Sequence, residues 1–503
     1  MLIKSEPDEI QSYLADASYL ASGSAFKLFL PETENEVLEV LSRATRDKTP
    51  VTISGAGTGT VAGRVPFDGV ILATDRLNRI REVRREDSGG RVVAQCGVRL
   101  IELQQFVDSK GLFYPPDPTE RGCFLGGTIA TNASGARTFK YGPTRDYVLR
   151  LRIALATGDV TELVRGQLRT DATGRFSLGL KDGRVIEARI PTYSMPKVRK
   201  HASGYYCAPE MDVLDLFIGS EGTLGVILEA ELKLLRRPEG LLSGVVFFGA
   251  SSHLLAFVRA VRITSLEHRR MGKTDCLDAR ALEYFDRESL VFLRQKYAAI
   301  PEGAEGAVFF EQEISEDLEQ QLLDEWLTLL ESHNAFVENS WFASNPTDHG
   351  RLREFRHQLP VLMNEWFARY RQRKVSTDMA VPDEEFAGLL RFYEDSLEPS
   401  GLRYTIFGHI GDNHVHVNIL PRDDDEAAKA RAIYQTFIER ALRMGGTVSA
   451  EHGIGKLKRE YLKLMYGENH LREMAALKMA FDPAGILCRG NMFSEEYLQA
   501  RSS

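Results

Sequence analysis

Two spacings of apolar residues run through the chain, one near 3.6 and one of two, and they predict which stretches coil and which extend. Thr33 and Glu36 have the spacing of a capping box, and Val37, Leu38, Leu41 and Ala44 behind them share one face of a helix. Strands are predicted over 50–54, 69–74 and 91–96, then a helix marked by Leu100, Leu103 and Val107 that stops at Gly111. Alternation returns at Leu149, Leu151, Ile153 and Leu155, and again at Val226, Leu228, Ala230, Leu232 and Leu234. From about residue 240 the elements change to strands at 244–249 and 307–314 with longer helices between, which predicts a second domain. Residues 404–409 and 414–420 can pair as a hairpin around Gly411-Asp412-Asn413. A helix over 430–442 then turns Ile433, Tyr434, Phe437, Ile438 and Ala441 inward. The order of elements is α+β, without the regular strand–helix alternation of a doubly wound sheet.

Three glycine-rich segments interrupt this pattern in the first half. Residues 51–66, VTISGAGTGTVAGRVP, open from a β-branched run into Gly55, Gly57, Gly59 and Gly63, a composition that lets successive backbone N–H groups converge on an anion. GTGTVA at 57–62 satisfies a dinucleotide pattern, and Asp75 lies near where a ribose-binding acid would be sought. Gly63 and Pro66 would break the helix that pattern requires, so the loop is expected to join two strands instead. No Gly-Lys-Ser/Thr follows, which excludes a Walker loop. Residues 114–142, YPPDPTERGCFLGGTIATNASGARTFKYG, read as a long loop of small residues suited to backbone lying against a flat ligand. The third segment, FIGSEGTLGVI at 217–227, runs straight into a strand.

Length and charge narrow the function. A chain of 503 residues, 43% hydrophobic and 27% charged, supports two or three domains with real cores. A net charge of -8 gives no basic face for nucleic acid. Cys96, Cys123, Cys207, Cys276 and Cys488 are far apart with no CxxC pair, which argues against disulfides, an iron–sulfur cluster and a cysteine zinc site, and fits a reducing compartment. Acids near the N-terminus exclude a secretory signal, and 241–258 is too polar to span a membrane. A cytoplasmic location is expected, with peripheral membrane attachment left open.

The second half concentrates chemistry. Alternation puts His414, His416 and Asn418 on one face of the hairpin, with His409 across its turn, while Glu451 and His452 are adjacent in TVSAEHGIGK. A single histidine is ordinarily a buried, hydrogen-bonded ring, but four of the eleven in two short stretches beside an acid point to a site. Histidine with carboxylate suits a divalent ion such as Zn, Mn or Fe.

The glycine-rich segments resemble the FAD-binding domain of the vanillyl-alcohol oxidase (PCMH) type, in the branch containing D-lactate dehydrogenase, D-2-hydroxyglutarate dehydrogenase and the FAD-linked chain of glycolate oxidase. The resemblance spans about residues 25–495. It implies a two-part PCMH-type FAD-binding domain over 1–240, a ferredoxin-like α+β cap over 241–470 and a segment, 471–503, returning to the FAD domain. Ser54, Gly55, Gly57, Thr58 and Gly59 would cradle the pyrophosphate. Pro116, Asp117, Gly126, Gly127, Asn132, Ser134, Gly135, Tyr141 and Gly142 would line the ribityl chain and isoalloxazine, with Glu221, Gly222 and Ile227 by the flavin or adenine. Ser54 stands where the family often has arginine, so one phosphate contact is expected to be missing. The first loop has no His or Cys to bond the flavin, which implies non-covalent FAD.

GHIGDNHVHVN resembles the family motif GHxGDGNxHxN. By that likeness His409, His416 and Glu451 would hold the metal, Asn418 would contact substrate and His452 would be the base. His414 replaces the usual Asn, and the open readings are an extra ligand, a partner supporting the ligands, which is favoured, or a merely polar residue. Arg356 in LREFRHQLP, rather than Arg353, would bind the substrate carboxylate as a bidentate fork. Ser376 stands in place of a substrate-side lysine, which favours D-lactate or glycolate over 2-hydroxyglutarate. The basic run 369–374 reads as a solvated helix face. The implied reaction is FAD-dependent, metal-assisted oxidation of a D-2-hydroxy acid to the 2-oxo acid, with hydride transfer to flavin. A quinone, cytochrome, electron-transfer flavoprotein or iron–sulfur subunit would accept the electrons. A non-redox flavin transferase and a non-catalytic FAD subunit of a larger oxidase are the rival readings.

Overall fold

A computed structural model gives the fold, with residues 1–20 and 22–499 described; Ala21 and the last four residues of the expected 471–503 segment lie outside them. Strands β1 (Leu2–Lys4), β2 (Lys27–Leu30), β3 (Val51–Ser54) and β4 (Val70–Ala73) form a sheet in the order β1-β2-β4-β3, in which β2, β4 and β3 are parallel. Helix Glu34–Asp47 connects β2 to β3, capped by Thr33, whose hydroxyl accepts from Glu36 N. It buries Val37, Val40, Leu41 and Ala44, while Leu38 is only partly covered. β3 and β4 are adjacent and parallel, yet the glycine loop between them contains no helix. Parallel neighbours usually need a helical crossover, so this connection leaves its backbone amides free of helix bonding. The outer edge of β3 is covered by 486–488, where Val51 N donates to Ile486 O at 2.9 Å and Cys488 N to Val51 O at 2.8 Å.

The second sheet is antiparallel. β5 (Ile80–Glu86), β6 (Gly89–Gln95), β8 (Val148–Ala154), β9 (Val160–Val164) and β12 (Val226–Arg236) lie in the order β5-β6-β12-β8-β9, with the short β7 (Leu112–Phe113) beside β12. The alternating residues Leu151, Ile153, Ala230 and Leu232 face one core, as their period of two requires. Between β9 and β12, β10 (Arg175–Gly179) and β11 (Val185–Arg189) form a separate hairpin. The 114–142 segment is no bare loop: helices Leu125–Ala130 and Thr138–Tyr141 lie within it. Glycine and threonine give them little intrinsic propensity, so packing sustains them, the first against β12 and the second against the sheet of the second half.

The third sheet has seven strands: β13 (Gly240–Phe248), β14 (Ala279–Asp286), β15 (Gly306–Ile314), β16 (Trp341–Ala343), β17 (Val375–Ser376), β18 (Tyr404–Gly408) and β19 (His416–Ile419). Their order is β16-β13-β15-β14-β18-β19-β17. Both faces are covered: along β13, Val246 and Phe248 enter one core while Val245 and Phe247 enter another. Helices Ser251–Arg270 and Glu319–Ser332 pack on the first face, and Arg287–Leu293 and Pro346–Tyr370 on the second. The expected hairpin is present as β18 and β19, with Phe407 opposite His416. Its tip turns at Asn413, which adopts φ +53°, a conformation asparagine tolerates better than most side chains. Helix Asp424–Arg443 begins earlier than its apolar stripe suggested, because Asp423 caps it and its first turn is acidic.

Candidate active site

One cavity of about 480 Å³ joins the glycine loops to the histidine stretches. Gly55, Gly57, Thr58, Gly59, Gly126, Gly127, Ser134, Glu221, Gly222 and Ile227 line it from the first two sheets. Arg356, His409, His416, Asn418, Glu451 and His452 line it from the cap-side elements. Side chains added at Gly59 or Gly127 would meet nothing within 4 Å, so there is room against bare backbone. That room fits a flat ligand such as FAD lying directly on the main chain.

The histidines are set by their neighbours. His409 Nδ1 lies 2.6 Å from Glu283 Oε1, and His416 Nδ1 lies 2.8 Å from the Thr377 carbonyl. Both partners can only accept, so each Nδ1 carries a hydrogen and each Nε2 is the nitrogen turned to the cavity. Those nitrogens converge on Glu451 Oε1, at 3.3 Å from His409 and 3.1 Å from His416. A carboxylate oxygen and two ring nitrogens at such distances are held together by protons on the rings or by a cation among them, and the residue types fit a divalent ion. The proton affinity of His409 reflects the same convergence: burial disfavours its charge, but the Glu283 carboxylate outweighs burial and pushes its pKa up to about 9. Burial also favours neutral Glu451, yet Lys200 and His409 hold it well below the usual carboxylate range.

Lys200 was not legible as a site residue. It is 1% exposed and donates to Glu451 Oε2 at 3.1 Å and to the Gly135 carbonyl at 3.0 Å, with Asp412 Oδ2 at 3.4 Å. By occupying Oε2 it turns Oε1 toward the histidines. Ser134 donates to the same Oε2 at 3.1 Å, tying the second glycine segment to the carboxylate. Glu283 was also missed, although an acid at an inward position of the apolar strand ARALEYFD is a signal in itself. Its other oxygen lies 3.3 Å from Arg356 Nε, so one buried carboxylate orients both a histidine and the arginine. Arg353 is exposed, whereas Arg356 reaches the cavity.

His452 lies in the cavity wall with its ring stacked on His416 at 5.3 Å between centroids. Burial lowers its pKa to about 4, against the opposing pull of Asp378. His414 is fully buried behind Glu451, with Nδ1 4.0 Å from Oε2 and Nε2 3.4 Å from Asp378 Oδ1. Ser376 lines the cavity, and so does Lys374 two positions earlier.

Seven expected cofactor residues stand behind the wall. Ser54 is buried and accepts from Arg64 Nη1 at 3.1 Å. The Pro116 carbonyl accepts from Gln104 Nε2 at 2.9 Å, and Asp117 is flanked by Arg137 at 3.4 Å and Arg121 at 3.6 Å. Asn132 accepts from Arg145 N at 3.0 Å, and the Tyr141 carbonyl from the Tyr147 hydroxyl at 2.8 Å. Gly142 ends its helix at φ +77°. A side chain at Gly135 would sit 2.0 Å from the Asp117 carbonyl, so close backbone approach requires glycine there. A cation stands beside Ser54 from ten residues on: Arg64 also donates to the Gly55 carbonyl at 2.8 Å, and it lines the cavity.

Residues 27–163 match the family described as "FAD binding domain", and 269–492 match "FAD linked oxidases, C-terminal domain". The chain is 30% identical to a D-lactate dehydrogenase of Anaerostipes hadrus, over 91% of this chain and 87% of that one. It is 28% identical to the glycolate oxidase subunit GlcD of Bacillus subtilis (97% and 92% covered) and 27% identical to a D-2-hydroxyglutarate dehydrogenase of Stutzerimonas stutzeri (98% and 96%). A solved alkyldihydroxyacetonephosphate synthase superposes with a TM-score of 0.67 at 16% identity, covering 97% of this chain and 81% of that chain, which shows a shared fold. With both halves matched and the glycine loops and histidine stretches meeting in one cavity, the chain belongs to the FAD-linked oxidase family, built on the PCMH-type FAD-binding fold.

Proposed function

We propose that the protein oxidises a D-2-hydroxy acid of the size of D-lactate or glycolate to the 2-oxo acid, using non-covalent FAD and one divalent ion (Zn, Mn or Fe) on His409, His416 and Glu451. The observation that carries this reading is the convergence of two histidine Nε2 atoms and a carboxylate oxygen in the cavity that the glycine loops also line. The names of the relatives support the substrate class. When bound, FAD supplies the hydride acceptor and the metal a Lewis acid. Arg356 keeps Nε on Glu283 and offers its terminal amino groups to the substrate carboxylate. Asn418 projects from β19 into the cavity to contact the substrate, and His452 takes the hydroxyl proton. Gly55 to Gly59, Gly126, Gly127 and the 221–227 loop would hold the cofactor by backbone.

The division into a FAD domain over 1–240, a cap over 241–470 and a returning segment belongs to the same reading, and the pairing of 486–488 with β3 supports the return. Among the described residues no helix is long and apolar enough to cross a membrane. The unpaired cysteines support a reducing compartment, the cytoplasm. A quinone, cytochrome, electron-transfer flavoprotein or iron–sulfur subunit serves as acceptor; a relative named D-lactate dehydrogenase [cytochrome] in Arabidopsis thaliana is consistent with the second.

The test is anaerobic mixing with a panel of D- and L-2-hydroxy acids while the flavin band is followed, together with elemental analysis of the active protein. Bleaching by D-lactate or glycolate is expected. No bleaching by any member of the panel would refute the reaction, and a specificity strongly favouring D-2-hydroxyglutarate would refute the substrate size argued from Ser376. His416→Ala should lose metal and turnover but keep FAD.

A further inference from the structure

The segment carrying Glu451 and His452 is folded around Asp378. This aspartate lies two residues past β17 and is fully buried, and its backbone carbonyl accepts from Ala450 N at 2.7 Å. Its carboxylate accepts from Glu451 N at 3.2 Å, His452 N at 3.1 Å, the Ser449 hydroxyl at 2.5 Å and Lys458 Nζ at 2.7 Å. His452 Nδ1 stands 3.3 Å from Oδ2, and His414 Nε2 stands 3.4 Å from Oδ1. Beyond the histidine, Glu221 accepts from Ile454 N at 2.6 Å and Gly455 N at 2.7 Å. Two buried carboxylates, one from each half of the chain, thus hold the backbone on either side of His452.

These contacts decide between two uses of Asp378. Ligand atoms of Asp378, His416 and His452 lie within 4.8 Å of one another, near enough for a metal. The hydroxyl, the ammonium and the His452 N–H all donate to Oδ2 and the Glu451 N–H to Oδ1, which leaves no open face on Oδ2 for a cation. A cation there would also face the Lys458 ammonium. Asp378 is therefore spent on hydrogen bonds. The negative Oδ2, 3.3 Å from His452 Nδ1, favours hydrogen on that ring nitrogen by charge. The lone pair is left on Nε2, at the other side of the ring.

Building on the reaction proposed above, we infer that Asp378 is a positioning residue for His452, selecting the tautomer in which Nε2 is the proton acceptor and offsetting the charge that the ring gains. The substrate O–H bond breaks, a bond from that proton to Nε2 forms, and the hydrogen on Nδ1 stays where it is. Asp378 remains a carboxylate throughout. An asparagine there keeps the size but loses the charge and presents hydrogens on one side, so the ring is no longer held in one tautomer.

The test uses the holoenzyme loaded with Zn²⁺ and labelled with ¹⁵N-histidine. Long-range ¹⁵N–¹H correlation reads the tautomer of each ring, and the His452 signals are assigned by their loss in His452→Ala. The wild type should show His452 protonated at Nδ1 alone, and Asp378→Asn should show a mixture. Anaerobic flavin reduction by D-lactate should slow roughly ten- to a hundredfold in Asp378→Asn, part of the usual range for base catalysis. KM and zinc content should hold within about threefold, because no ligand side chain is replaced and Arg356 does not contact Asp378. If that variant does not fold, Asp378→Asn with Lys458→Met removes the buried charge pair together and takes its place. A wild-type ring protonated at Nε2 overturns the inference, and so does a folded variant that reduces flavin at the wild-type rate. A wild type that D-lactate does not reduce counts against the reaction alone, and the tautomer still decides the role of Asp378.

Discussion

Glu283 and His409 are 126 residues apart in the chain, yet the imidazole Nδ1 lies 2.6 Å from the carboxylate. Both are buried, and the second carboxylate oxygen is 3.3 Å from Arg356. The pair sets which histidine nitrogen is free for a metal and where the arginine fork points. Burial alone would raise the Glu283 pKa, but His409 and Arg356 hold it down to about 2, so it stays charged across the working range.

Glu283→Gln keeps the shape and removes the charge. Metal affinity should fall roughly 10- to 100-fold, the usual cost of losing a hydrogen-bond partner behind a histidine ligand. KM for the hydroxy acid should rise with it, since Arg356 loses its anchor. Metal titration and steady-state kinetics check both, and unchanged metal affinity would show that Glu283 is not orienting His409.

His452→Ala should retain FAD and metal while flavin reduction slows by roughly a hundredfold or more. Stopped-flow absorbance measures the rate. If added metal restores turnover in the variant, His452 only supports Glu451 and is not the base.

Cys96 and Cys123 line the cavity, but burial pushes both thiols up to about 12, so they are not thiolates able to attack a flavin. Acid precipitation should therefore release the flavin into the supernatant. Flavin that stays on the precipitated chain would overturn the non-covalent reading.

Asp286 closes β14 and caps helix Arg287–Leu293, accepting from Ser289 N at 2.8 Å. Burial raises its pKa from 3.8 to about 7. A carboxyl raised on folding contributes stability that is complete below the unfolded value and is lost as pH rises through the folded one. Asp286→Asn carries no such titration and still caps the helix. Relative to the wild type it should gain roughly 2–4 kcal/mol between pH 5 and pH 8. Urea unfolding at the two pH values measures this, and an equal difference at both would exclude a buried proton on Asp286.

Much of the site was legible because its signals are local. Alternation in 404–420 put His414, His416 and Asn418 on one face; the hairpin forms as β18 and β19 and His416 and Asn418 line the cavity, but His414 precedes β19 and is buried outside the cavity lining. Gly63 and Pro66 barred a helix after the first glycine run, and the loop does join two strands. Hydrophobic period and turn chemistry act over a few residues, and a chain read in order exposes them.

Short elements held by packing escaped that reading. Leu125–Ala130 and Thr138–Tyr141 coil despite their weak propensity, and the acidic first turn of Asp424–Arg443 hides its true start from an apolar stripe. Arg64 reaching back to Ser54, Lys200 on Glu451, Glu283 on His409 and Asp378 under His452 were likewise decided only by the tertiary structure. Apart from Arg64, these partners come from distant strands and loops. The sequence by itself determined which groups could bind a cofactor and a cation. Which oxygen faces which nitrogen depends on the three-dimensional register of buried charges, because a buried ion is tolerated only where its partners meet it, and no period in the sequence records that meeting.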